Sequence, residues 1–89
     1  MAMSVYDEVK AERRKQDAQW GHLVCSPFVY ATVLAEECGE VARAVHDIRF
    51  AKGSRADLRA ELIQVAAVAV QIVERIDGGL IEWEATQSS

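Results

Sequence analysis

Glu36, Glu37, Glu40 and Glu61 are the residues of this sequence best placed to do chemistry. The first three crowd into five positions, and Glu61 follows about twenty residues later. Like charges four residues apart on a helix are destabilising by about 0.2–0.5 kcal/mol, so the pair Glu36 and Glu40 serves something other than folding. Oxygen donors without histidine suit a hard cation, and magnesium is commonly held by a few carboxylates, waters and the phosphates of a bound ligand. The Glu-x-x-His pattern of di-iron bundles does not occur. These residues therefore predict a magnesium site facing a phosphorylated ligand. The competing reading has Glu36, Glu37 and Glu40 solvated or paired with Arg43 and Arg59.

Helices must carry these groups. Ser4 is a capping residue with Asp7 and Glu8 in the opening turn, where the helix dipole favours negative charge, and a first helix is predicted over about 4–18. Residues 19–25, including Trp20, Gly21 and His22, lack a clean period and read as a connecting loop. Ser26 followed by Pro27 starts a second helix over about 26–52, stopped at Gly53. Ser54 caps a third helix over about 54–77, which ends at Gly78-Gly79, and the tail 80–89 holds a short amphipathic turn around Ile81, Glu82 and Trp83. On a helical wheel Tyr30, Val33, Leu34, Val41, Ala44, Val45 and Ile48 form one arc. Glu37 falls inside that arc, Glu40 on its rim and Glu36 just beyond. An inward carboxylate has to be neutralised, hydrogen-bonded or coordinated. On the third helix Leu58, Leu62, Val65, Ala69, Ile72 and Ile76 make the predicted core arc, with Glu61 at its edge and Asp57 and Gln64 on the same side. Antiparallel packing of the second and third helices brings Glu61 toward Glu37 and Glu40.

With 89 residues, 51% of them apolar, one proline and five glycines, the chain reads as a single all-α domain, 1–89, a bundle of three to four helices. Between Leu62 and Val73 the only polar residues are Gln64 and Gln71. A helix apolar on nearly every side needs cover on nearly every side, so the bundle is expected to be completed by a homodimer or homotetramer. A net charge of -4 speaks against a nucleic-acid surface. The longest apolar run, Val65 to Val70, is too short for a bilayer, and no leader pattern opens the chain, so a cytoplasmic protein is expected. Cys25 and Cys38 have neither CxxC spacing nor a histidine array and are read as reduced, with Cys38 a packing residue beside the acids.

Glu36-Glu37-Cys38-Gly39-Glu40, followed after about twenty residues by Glu61-Leu62-Ile63-Gln64, resembles the EExxE and ExxD signature of the MazG-like all-alpha nucleoside triphosphate pyrophosphohydrolases. The front segment, with Glu12, Arg13, Gln16, Trp20 and Gly21, is similar to the E-R-x-x-Q-x-x-x-W-G stretch of small phage and mobile-element members. The resemblance implies a helical, oligomeric enzyme that converts a nucleoside triphosphate to the monophosphate and pyrophosphate with magnesium. It implies Glu37, Glu40 and Glu61 as metal ligands, with Glu36 as a further ligand or the group orienting the attacking water. Gln64 stands where the family has aspartate and offers a neutral oxygen, with Asp57 or Glu36 as compensating acids. Trp20 is then expected to stack on a base, and Arg13, Arg14, Lys15, Gln16 and His22 to contact substrate, with Lys52 and Arg55 as further phosphate candidates. The alternative is a catalytically weakened nucleotide-binding or dimerisation module on the same scaffold.

Overall fold

In the computed structural model, residues 3–20 and 26–81 are described, and they form an all-α fold of three helices: α1 (Val5–Trp20), α2 (Pro27–Phe50) and α3 (Arg55–Asp77). Gly21, His22, Cys25, Glu82 and Trp83 lie outside the described residues. Each helix starts where a serine can accept from an otherwise orphaned backbone N–H. Ser4 Oγ accepts from Asp7 N at 3.1 Å, Ser26 Oγ from Val29 N at 3.4 Å and Ser54 Oγ from Asp57 N at 3.1 Å. α3 closes on a Schellman arrangement: Gly79 adopts φ +69°, its N–H bonds to Ile76 O at 3.1 Å, and Leu80 N–H reaches Arg75 O at 2.8 Å.

α1 runs two residues further than its sequence pattern indicates and takes in Trp20, which stands on the last helical turn and not in a loop. Residues 17–20 have no apolar period of their own, which is why the sequence pattern stops short of them. α3 is the shared element. Both α1 and α2 pack on it, while the backbones of α1 and α2 nowhere approach within 8 Å of each other among the described residues. A cleft therefore separates α1 from α2, floored by α3.

The strip of α3 that goes inside is not the predicted arc. Ala67, Val68, Gln71 and Arg75 are buried, while Leu62 and Ile76 remain 48% and 47% exposed and Ala69 is exposed as well. The helix is apolar around most of its circumference, so apolar spacing alone does not select a face, and two polar residues occupy the inside. On α2, Tyr30 is buried as expected, whereas Val45 and Ile48 are exposed. Among the described residues no helix is long and apolar enough to cross a membrane.

α1 is attached chiefly through polar groups. Arg13, only 9% exposed, donates from Nε to Glu74 Oε1 at 2.8 Å, from Nη2 to Asp17 Oδ1 at 3.0 Å and from Nη1 to Gln16 Oε1 at 3.3 Å. Arg59 of α3 forms a two-pronged pair with Glu8, with Nη1 to Oε1 at 2.7 Å. This corrects two expectations: Arg13 is an internal clamp and no free phosphate ligand, and Arg59 is committed to Glu8 and not to the acid cluster.

Gly53 follows α2 so closely that an added Cβ would sit 2.8 Å from Asp47 C, Asp47 Cβ and Ile48 N. Two of those atoms are backbone and cannot rotate away. Gly53→Ala should therefore lower stability by about 1–3 kcal/mol, the usual range for overpacking. A chemical denaturation midpoint unchanged from the parent would contradict this placement.

Candidate functional site

Two cavities flank the acid-bearing stretch of α2. The first, about 230 Å³, lies in the cleft and is walled by Glu12, Gln16, Gln19 and Trp20 of α1 and by Val33 and Glu37 of α2. Its floor is Gln64, Val68 and Gln71 of α3. The second, about 240 Å³, is framed by Glu40, Arg43 and Asp47 of α2 and by Ser54, Asp57 and Glu61 of α3. Helical spacing explains the division. Glu37 and Val33 are one turn apart on the α2 side facing the cleft, and Glu40, Ala44 and Asp47 make the neighbouring row.

Glu37 is the pivot. It is half-buried, its Oε2 is shut off from solvent, and no described residue donates a hydrogen bond to it. Burial, and then the charges of Glu61, Glu40, Glu12 and Glu36 in that order, push its carboxyl above the ordinary glutamate range. Its neighbours thus include every one of the predicted acids, plus Glu12 from α1. None of Glu36, Glu37, Glu40 and Glu61 forms a salt bridge among the described residues. Of the competing reading, the pairing with Arg43 and Arg59 is not seen among the described residues, while Glu36 and Glu40 are exposed as its solvated form has them.

The donor chemistry fits magnesium: all oxygen, several carboxylates, and one oxygen with no protein donor to satisfy it. In the side-chain positions described, however, no three His, Cys, Asp or Glu groups come close enough together to share an ion. Glu36 and Glu40 are exposed, so both side chains can turn without disturbing packing. Gln64 lines the first cavity beside Glu37 and also a third space with Lys15, Glu8 and Arg59.

The other predicted contacts divide. Gln16 is buried and Trp20 half-buried, and both are brought into the cleft with Glu37. Lys15 is exposed and lies 3.8 Å from Glu12. Arg14 lines a groove on the other side of α1, with Val5, Tyr6, Val70 and Glu74, which contains none of the four acids. Lys52 and Arg55 are exposed at the turn between α2 and α3. Cys38 is a free, exposed thiol, which corrects its assignment as a packing residue: position 38 faces away from the row that carries Glu37. His22 lies outside the described residues. Sequence reasoning passed over Gln71 as a functional candidate. The signal was available, since it and Gln64 are the only polar residues in a twelve-residue apolar run and stand two turns apart on one face.

The chain matches no family model, no curated protein and no solved structure.

Proposed function

We propose that this protein is a magnesium-dependent nucleoside triphosphate pyrophosphohydrolase acting in the cytoplasm on (d)NTPs, and that it works as a homodimer or homotetramer. The observation that carries the reading is Glu37: a carboxylate oxygen cut off from water, without a donor, surrounded by further carboxylates. Natural chains tolerate such an arrangement where a cation offsets it. Similarity of the acidic motifs to the MazG-like signature supplies the reaction class. Bound magnesium would contribute positive charge against the phosphate oxygens.

The chain's own residues then divide the work. Glu37, Glu40 and Glu61 would hold the cation after their side chains turn toward one another, with Gln64 adding a neutral oxygen. Glu36 sits one residue from Glu37 and is free to accept a proton from an attacking water. Trp20 and Gln16 contact the ligand in the cleft, and Lys15 lines the adjoining groove between α1 and α3 that shares Glu12 and Gln64 with it. The exposed apolar residues Leu62, Val73 and Ile76 on α3 support self-association.

Purified protein incubated with magnesium and a nucleotide panel should release monophosphate and pyrophosphate. Folded protein that turns over no nucleotide would defeat the proposal. A second reading, a nucleotide-binding or dimerisation module with weakened chemistry, is favoured by the neutral Gln64 and by acids that do not converge on one point. Gln64→Asp discriminates. A competent site should gain roughly tenfold in magnesium affinity and a higher rate at limiting magnesium, given the stronger interaction of a charged ligand. No gain in either, read by calorimetry and initial rates, selects the second reading.

A further inference from the structure

We infer that Gln71 reads the ligand: its buried carboxamide donates a hydrogen bond to an acceptor atom on a neutral heteroaromatic ring held in the cleft between α1 and α2, over the α3 floor. The inference rests on the nucleotide reading above for the identity of the ring, and on independent geometry for its place. Gln71 is only 4% exposed, and its Nε2 has no hydrogen-bond partner among the described residues. A buried donor left unpaired is costly, and α3 would be better served there by leucine if nothing were to be bound. Gln71 lines the same 230 Å³ cavity as the other orphaned buried atom, Glu37 Oε2.

The character of that cavity narrows the occupant. Its volume lies below the roughly 300–1,000 Å³ of sites that take a whole drug-sized ligand, so it admits one ring system and not a complete nucleotide. No lysine or arginine lines it, while two carboxylates do, which disfavours a phosphate there. Val33 and Val68 supply apolar walls, and Trp20 a flat face. The oxygen of Gln16 is taken by Arg13 Nη1, so the amide group it has left to offer is a donor. Donors at both Gln16 and Gln71 call for an acceptor-bearing ring, meaning a carbonyl or an unprotonated ring nitrogen. The phosphate and cation end of the ligand then falls to the border of the two cavities, between Glu37 on the first and Arg43, Glu40 and Glu61 on the second.

The test combines binding and turnover on the full chain. Calorimetry with deoxynucleosides, without phosphate or magnesium, should show binding of at least one carbonyl-bearing nucleoside. Gln71→Leu should weaken that binding about tenfold, the equivalent of one net hydrogen bond, and should flatten the ranking of bases in kcat/KM. An analogue lacking the acceptor atom should lose the same factor against the parent protein and nothing against Gln71→Leu, and its comparison with the intact nucleoside on the parent needs no variant. Absence of nucleoside binding, or an unchanged ranking in Gln71→Leu, overturns the assignment. Nucleoside binding that depends on Gln71 without any hydrolysis upholds Gln71 and defeats the pyrophosphohydrolase reading. Hydrolysis with a ranking indifferent to residue 71 does the reverse.

Discussion

Replacing Glu37 with glutamine should remove nucleotide hydrolysis and at the same time make the protein harder to unfold. Loss of a group that only orients a metal ligand typically costs about 10–100-fold, and Glu37 as a direct ligand should exceed that range, leaving at most about one hundredth of the parent rate. Glu61→Gln should fall in the same class. Stability moves the other way because the ionised carboxylate is a liability without its cation. The Glu37 carboxyl is held above the ordinary value by burial and by Glu61, Glu40, Glu12 and Glu36. A folded-state pKa above the unfolded one means that the folded protein binds the proton more tightly. The corresponding stabilisation is complete below the ordinary glutamate value of about 4.3 and is lost as pH rises through the folded value. The parent protein, free of magnesium, should therefore lose stability relative to Glu37→Gln as pH climbs through that window, and the gap should stay constant above it. Thermal melts of both proteins with chelator across that range measure it. A variant that is active, or that melts below the parent above the window, would assign Glu37 a structural role.

Arg13→Ala should produce a large stability loss for a change outside the apolar core. The guanidinium is buried and spends its donors on Glu74, Asp17 and Gln16, joining positions 61 residues apart in the chain. Breaking a fully buried ion pair costs about 3–5 kcal/mol, mainly through the charge left behind. Here Glu74 and Asp17 are more than half exposed and recover water when the arginine goes, so about 2 kcal/mol is expected, made up of lost charged hydrogen bonds and lost packing of the arginine stem. Glu74→Gln, which keeps a hydrogen-bonding oxygen, should cost under about 1 kcal/mol. Urea unfolding of both variants checks the order; equal effects would mean that the Glu74 charge carries the whole contribution of Arg13, and a neutral Glu74→Gln that Arg13 acts through packing alone. Since Arg13 fastens the helix carrying Glu12, Gln16 and Trp20, its loss should also reduce turnover.

The helix starts were legible because each is written in local chemistry: Ser4, Ser26 with Pro27, and Ser54 accept backbone N–H groups within three residues. The inward aim of Glu37 was legible as well, since it falls on the α2 wheel among Tyr30, Val33, Leu34 and Val41, which are buried or half-buried. α3 was not. Its wheel offers apolar residues nearly all round, and the choice of the strip bearing Gln71 and Arg75 is made by what α1 and α2 present, which no local pattern encodes. Arg13 was misread for a similar reason. A basic run looks solvated until its partner is known, and Glu74 lies at the far end of the sequence.

Because α1 and α2, among the described residues, pack on α3 and not on each other, a molecule spanning the cleft adds a direct contact between them. Ligand and ion pairs then act in parallel on a single docking equilibrium for α1. Their effects are reciprocal by thermodynamic necessity: whatever tightens the Arg13 clamp raises affinity in the cleft by the same factor by which the occupied cleft tightens the clamp.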